Sequence, residues 1–407
     1  MTWPTVPLRR LVTCLDGRRV PLNSQQRAEM GGSIPYWGAG GVLDFVDQAI
    51  FDEPLVLLKE DGSPFFIPEK GVAYYVEGPT WVNNHIHALR ATGVDGRFLA
   101  FALNCVDYST YLTGSTRDKL TQEDLKKIDV WLPPLEEQHR IADFLDAETA
   151  RIDSLTAARE RQVYLASARL AGLAKQETGR SFVRGTTVLP KDWQICPLRR
   201  AIRGIKTGTT PSGSGPELWI EGTHRDAVPW YGPSSFEGLM HLGPPGKHLP
   251  KNAVAERVVP RFPTGSVLII GIGATAGKVA YLDHDATGNQ QITALTPERD
   301  VSGRFLSWQL WAATEELREL APYTTLPIIN NDFLKSFPVA MPSGDIQVTV
   351  AQSLDRAAAR VGALQASASR ASTLVKERRQ ALITAAVTGQ FDVSTASGRN
   401  VTEGVSV

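Results

Sequence analysis

The stretch best equipped for chemistry is Ser266–Val279, SVLIIGIGATAGKV. Gly271, Gly273 and Ala276 satisfy the GxGxxG/A spacing with which a strand hands a dinucleotide to a helix. That fingerprint needs a helix next. Val279–Leu282 reads instead as a second strand, and Asp283 comes too early for the acid that holds a ribose. A phosphate-binding P-loop fails as well, because Ile272 stands where its first glycine belongs and Val279 where it needs Ser or Thr. A glycine-rich hairpin with an outward Lys278 fits better. His85 and His87 alternate, which predicts one shared strand face. A metal there would need a third ligand, and the matching positions in the second half of the chain are Gln291 and Thr293. There is no GxSxG. Pro133-Pro134 is followed by Leu135 and Pro244-Pro245 by Gly246, so the Pro-Pro-aromatic motif of amino-methyltransferases is missing too. The residues predict no catalytic set and no metal site.

What recurs is recognition chemistry. Arg18 and Arg19 follow the opening strand of the first half, and Lys206, Thr207, Thr209 and Thr210 follow that of the second. Tyr36-Trp37 is matched by Trp230-Tyr231. Lys59 closes an apolar strand, His85 sits in an Asn-rich turn and Lys278 on the glycine hairpin. Ser115, Thr116 and Arg117 precede one helical region, and Tyr323 and Thr324 precede the other. Such side chains donate to phosphates and base edges. Any one of them is equally an ordinary loop residue or core aromatic. The argument for a DNA interface is their equivalent placement in two halves.

The elements that must position them are duplicated. Leu125–Leu155 aligns without a gap on Leu334–Leu364 at a constant shift of 209 residues, matching Val130 with Val339, Gln138 with Gln347, Leu145 with Leu354 and Asp146 with Asp355. Each copy reads as a short strand, a proline break and a long helix. Upstream, Leu55–Leu58 pairs with Val267–Ile270, and Asn83–Leu89 with Asn289–Leu295, at slightly different shifts because loops tolerate insertions. The predicted organisation is a recognition domain at 1–134, a long helix at 135–185, a second recognition domain at 186–342, a second long helix at 343–391 and a mobile tail at 392–407. The fold class is mixed α/β (α+β), with helical stretches expected near 98–112 and 304–320.

In the second helix Leu354, Val361, Ala368, Val375 and Leu382 recur every seven residues, with Val350, Ala357, Leu364 and Ala371 on the alternate seam. In the first helix the predicted seam is Ile141, Leu145, Ile152, Leu155, Ala166 and Leu173, interrupted by Glu148, Arg159 and Gln162. Each helix would run ~60 Å, long for a domain surface, so the two are predicted to pair as an antiparallel coiled coil. Glu137 and Gln138 at the first junction are expected to meet partner proteins.

Composition is that of an ordinary globular chain of 407 residues with a formal net charge of zero. Residues 1–135 hold three more acidic than basic groups and residues 346–407 three more basic than acidic, so bulk charge does not announce nucleic acid. Cys14, Cys105 and Cys196 are odd in number and form no CxxC, which reads as reduced thiols in a cytoplasmic protein. No apolar run reaches the ~18 residues of a membrane helix, and the start, MTWPTVPLRR, lacks the apolar core of a secretory signal.

LTQEDLKKIDVWLPPLEEQHRIADFLDAETARID, the Leu132–Leu145 run within it, and the ending LVKERRQALITAAVTGQFDV closely resemble the specificity subunit of Type I restriction–modification systems. The Gly277-Lys278-Val279 and Asn289-Gln290-Gln291 segments resemble parts of its recognition domains. The second junction departs from the family pattern, with Pro342-Ser343-Gly344-Asp345-Ile346-Gln347 in place of a Pro-Pro-Leu-Glu-Glu-Gln run. The resemblance implies two target-recognition domains, each reading one part of a split double-stranded DNA sequence, with the helices as a ruler for the gap. It implies docking of two methyltransferase subunits on the helices and recruitment of restriction/translocase subunits. S-adenosylmethionine, ATP and Mg would reside on those partners, and this chain would bind no cofactor and catalyse nothing itself. Two rival readings are a two-domain protein–protein scaffold and a nucleotide-binding enzyme using Gly271–Gly277.

Overall fold

The computed structural model describes residues 3–61, 65, 71–112, 118–183, 185, 188–211, 219–220, 227–256, 258–322 and 328–395. The chain divides into two units, residues 1–159 with 369–407, and residues 160–368. The two are built on one plan.

The strands of the first unit are β1 (Thr5–Pro7), β2 (Val12–Cys14), β3 (Gly31–Gly38), β4 (Gly41–Val46), β5 (Phe51–Asp52), β6 (Leu55–Lys59), β7 (Ala73–Val76), β8 (Pro79–Val82), β9 (Ile86–Ala91) and β10 (Asp129–Trp131). An antiparallel sheet has the order β2-β9-β6-β7, and a mixed sheet the order β4-β3-β8-β5, with β3 and β8 parallel. β6 and the start of β9 are buried on both faces, which is why LVLL and IHAL read as unbroken rather than alternating runs. β1 closes the unit by pairing with β10, the strand just before the first long helix.

The second unit holds β11 (Trp193–Pro197), β12 (Ile202–Thr207), β13 (Ala227–Tyr231), β14 (Phe236–Gly238), β15 (His241–Leu242), β16 (Lys247–Pro250), β17 (Val267–Ile270), β18 (Val279–Tyr281), β19 (Thr287–Gly288), β20 (Ile292–Pro297) and β21 (Pro338–Pro342). Its sheet β12-β20-β17-β18 repeats β2-β9-β6-β7, β13 lies parallel to β19 as β3 does to β8, and β11 closes on β21 as β1 does on β10. The helices Gly96–Leu103 and Gly303–Ala312 follow β9 and β20, where the apolar pattern placed them. Asp95 and Ser302 cap them, each accepting a backbone N–H of the first turn.

The long helices run Leu135–Glu177 and Gly344–Val387, each about 65 Å at 1.5 Å per residue. The first half of one and the second half of the other lie in the first unit, where Phe144 meets Phe391 and Asp153 pairs with Arg379, so the segments run antiparallel. The complementary halves lie in the second unit, where Leu170 and Ala174 share a core with Leu354 and Val361. The second helix uses the predicted seam: Leu354, Val361 and Leu382 are buried and Val350, Ala357 and Leu364 half-buried.

The first helix does not follow its predicted seam throughout. Ile141, Leu145 and Ile152 face inward, but Leu155 is 61 % exposed. The inward row is Ala142, Thr149, Thr156, Val163 and Leu170. Thr149 and Thr156 sit there because each hydroxyl bonds a carbonyl of its own helix, Asp146 O and Ile152 O, which spares it a partner across the seam. Two threonines in the seam made Leu155 look like the better candidate. Both helices stop at a Thr-Gly pair: Thr178 and Thr388 bond back to Ala174 O and Thr384 O, and Gly179 and Gly389 adopt φ of 76° and 75°. Beyond the second stop, Val393 is buried in the core of the first unit, so the start of the tail expected to be mobile is packed.

Candidate nucleic-acid interface

Each unit ties three segments together with one polar knot at the end of its opening strand. In the first unit the knot is charged. Asp16 Oδ2 lies 2.6 Å from His87 Nδ1 and accepts from Gln122 Nε2 at 2.8 Å, and Oδ1 accepts the Ala88 N–H at 2.9 Å. His87 Nε2 meets the Leu120 carbonyl at 2.9 Å. Each ring nitrogen thus faces an acceptor, a carboxylate on one side and a backbone carbonyl on the other. Burial raises the Asp16 pKa, but the bond and charge of His87, the Ala88 N–H and the Gln122 amide outweigh it and hold the carboxyl well below its usual range. In the second unit Thr207 Oγ1 lies 3.0 Å from Thr293 Oγ1, and Asn331 Nδ2 donates to Thr207 Oγ1 at 3.2 Å. Asn331 is Gln122 shifted by 209, so the same three-way tie is built once from ions and once from neutral groups.

The knot overturns part of the sequence reading. Arg19 is spent on Glu60 at 2.7 Å and Asp16 at 3.3 Å, with its side chain only 12 % exposed. Lys59 is fully buried, and Tyr36 is 1 % exposed with its hydroxyl accepting the Leu22 N–H. Tyr231 is 3 % exposed, its hydroxyl 3.0 Å from His284 Nε2. These four brace the domain rather than face solvent, because the neighbours that enclose them lie far along the chain. His85 and His87 do not share a face: His87 is buried in the knot, while His85 is exposed, just ahead of β9, with Nδ1 2.5 Å from Asp61. Cys14 Sγ lies near Asp16 and His87, a set with three metal-ligand atom types. Both His87 nitrogens are already committed, and burial above all pushes the Cys14 thiol up to about 11.

Beside each knot stands one turn, also built twice. Asn83 N–H donates to Trp37 O and its Oδ1 accepts the His85 N–H; Asn289 N–H donates to Tyr231 O and its Oδ1 accepts the Gln291 N–H. Buried Asn83 and Asn289 thus hold the loop, and Asn84 and Gln290 stand exposed at its tip. Asn84 and His85 line a cleft of about 520 Å³ with Asn23, Gln26, Arg27 and Leu43. Arg27 is carried by the helix Ser24–Glu29, whose Asn23/Gln26 capping box is an N-x-x-Q signal that sequence reading passed over. In the second unit Lys206, Thr207 and Thr209 line a cleft of about 900 Å³ with Lys251, Arg261 and Asp285. Thr210 Oγ1 donates to Gln290 Oε1 at 2.7 Å, joining that loop to the turn.

Of the other predicted contacts, Arg18 is exposed and paired with Glu53 at 2.8 Å, and Lys278 is exposed with Nζ 3.4 Å from Phe236 O. Ser115, Thr116, Arg117, Tyr323 and Thr324 lie outside the described residues. Gly271–Gly277 forms the turn of the β17–β18 hairpin, with Gly277 N–H donating to Ile270 O; no helix follows, so the dinucleotide geometry is not built. Among the proposed docking residues, Glu137 is half-buried and paired with Arg140 at 3.0 Å. Gln138 is 2 % exposed and bonds within its own unit, so it offers nothing to a partner. Among the described residues no helix is long and apolar enough to cross a membrane.

A family match and a solved structure agree with this architecture. Residues 2–163 and 190–364 match the family described as Type I restriction modification DNA specificity domain. A Haemophilus influenzae protein named as a type I restriction enzyme specificity subunit, S.HindORF215P, is 34 % identical over 145 residues, which span 35 % of this chain and 37 % of that relative. A solved structure described under complex assembly and conformational transition of the type I R-M system superposes with a TM-score of 0.69 at 17 % identity, covering 96 % of this chain and 98 % of that one. The HsdS subunit from Thermoanaerobacter tengcongensis, 17 % identical over 96 % of this chain and 97 % of its own, has a TM-score of 0.49. With its two matched regions each carrying one knot, one turn and one cleft, the chain belongs to the family of Type I restriction–modification DNA specificity subunits.

Proposed function

We propose that each unit reads one half of a bipartite double-stranded DNA sequence and that the long helices hold the two halves of the reading at a set gap. The observation that carries this is the duplicated knot and turn near a cleft, the turn with the same bonds in both units and different side chains exposed. Lys206, Thr207, Thr209 and Lys278 are the donors of the second reader, and Arg27, Asn84 and His85, with exposed Arg18, those of the first. The chain itself is non-catalytic. Adenine methylation with S-adenosylmethionine belongs to two methyltransferase subunits, and ATP and Mg to restriction/translocase subunits that join them.

Leu165 and Leu374 mark where those methyltransferase subunits dock. They are the same position in the two copies, 209 residues apart, and are 54 % and 65 % exposed, with Tyr164 beside the first at 71 %. Two leucines left in water at equivalent places on two helices suit two copies of one partner. Selection from a random duplex library by the chain with its methyltransferase partner tests the function. Recovery of two fixed half-sites separated by a constant gap is expected. Equal binding of all duplexes at matched salt would refute it.

A further inference from the structure

Each long helix is bolted to its recognition domain by one buried glutamine, and the bolt is the same in both units. Gln138 Oε1 accepts the Asp95 N–H at 2.9 Å, and its Nε2 donates to Pro133 O at 2.8 Å. Gln347 Oε1 accepts the Ser302 N–H at 2.8 Å, and its Nε2 donates to Pro342 O at 3.0 Å. Asp95 and Ser302 are the caps of the short helices Gly96–Leu103 and Gly303–Ala312. One turn further on, Arg97 reaches Asp143 at 2.8 Å and Asp146 at 3.1 Å, and Arg304 reaches Asp355 at 2.8 Å. Both glutamines are nearly inaccessible, at 2 % and 3 %.

We infer that this clamp, Gln138 with Arg97 and Gln347 with Arg304, sets how strictly the protein selects the gap between its two half-sites. The inference rests on the reading of the chain as a bipartite DNA reader. Apolar packing of Ile141, Ala142 and Leu145 also joins helix and domain in the first unit. Such contacts are nearly non-directional and tolerate small rotations. The glutamine amide is directional at both ends, and a fully satisfied buried polar group selects one arrangement over its neighbours. The leverage is large. About 60 Å of helix runs on beyond Gln138, so a tilt of about 5° at the clamp moves the far end sideways by about 5 Å. Gln138 and Gln347 are therefore positioning residues that touch no DNA.

The experiment uses the full chain with its methyltransferase partner and duplexes carrying the half-sites selected by the wild type, at gaps differing by one base pair. The wild type is expected to prefer one gap at least 10-fold over its neighbours. Gln138→Leu with Gln347→Leu, which keeps the volume and removes the bonds, is expected to narrow that preference to under 3-fold while base choice within each half-site stays the same. Arg97→Lys with Arg304→Lys, at the accessible edge of the clamp, is expected to give an intermediate loss and keeps the test open if the leucine variant does not fold. A folded variant with unchanged gap preference would overturn the inference, as would altered base choice within a half-site. A wild type that selects no bipartite sequence would instead sink the functional reading itself.

Discussion

Replacing Asp16 by Asn is the sharpest test of how the recognition domains are braced. The carboxylate takes His87, Gln122 and the Ala88 N–H, and Arg19 lies 3.3 Å away. Asn keeps one acceptor for Ala88 but turns an amino group toward His87 and Gln122 and leaves the Arg19 guanidinium without one of its anions. Removing one member of a buried ion pair costs about 3–5 kcal/mol. Glu60, 2.7 Å from Arg19 and 3.8 Å from His87, takes up part of the charge, so the low end, about 3 kcal/mol, is expected. The internal control is Thr207→Val, which removes a neutral hydroxyl bond worth about 1 kcal/mol in the equivalent knot. Amide hydrogen exchange resolves the two, because protection of β9 and β20 reports their own units. Asp16→Asn is expected to lower β9 protection roughly 150-fold and Thr207→Val to lower β20 protection roughly 5-fold. Acid should act like the mutation. Asp16 is held below its usual range when folded, so its contribution is complete at neutral pH and fades as pH falls below that range toward the folded value. The first unit should therefore lose protection in acid more steeply than the second. Equal losses from both variants, or a loss under 10-fold for Asp16→Asn, would refute the charged-knot account.

Lys206→Ala and Lys278→Ala should each weaken DNA binding evenly across sequences and flatten the log–log salt dependence by about 0.9 per lost phosphate contact, measured by titration at several salt concentrations. Lys59→Met should act through stability instead, visible as a lower denaturation midpoint, since Lys59 is fully buried. Leu165→Asp and Leu374→Asp should each weaken methyltransferase association at least 10-fold with little change in melting, because both side chains stand in water in the free chain. Gly389→Ala should cost about 1 kcal/mol for its positive φ, and Gly179→Ala more, because the new methyl would lie 2.6 Å from the Trp193 ring; urea unfolding would rank them.

The duplicated plan was legible from residue spacing alone. The gapless shift of 209 across Leu125–Leu155 reads as two copies of one element, and Gln138/Gln347 and Asp146/Asp355 make equivalent contacts in both. The seam of the second helix was equally plain, since Leu354, Val361 and Leu382 are apolar wherever the helix faces its partner. The seam of the first was obscured where Thr149 and Thr156 satisfy their own hydroxyls, an intrahelical bond that residue type does not announce. Which side chains of the donor-rich loops reach solvent was not legible in the sequence. Arg19, Lys59, Tyr36 and Tyr231 have the right chemistry for DNA and are enclosed by segments dozens of residues away. The cleft residues Arg27, Asn84, Lys251 and Arg261 went unnoticed, though Asn83 and Asn289 already stood in the aligned turn.

Sequence by itself determined the order of elements, the twofold repetition and the lengths of the helices, because each follows from local periodicity or from residues a fixed number apart. Tertiary structure alone decided which polar groups face water. A glutamine in a junction motif and an arginine in a loop have the same local propensities whether they meet a partner or their own chain. Gln138 became a bolt and Arg19 a brace only when strands and helix caps from elsewhere in the chain closed around them and exchanged their water for fixed hydrogen bonds.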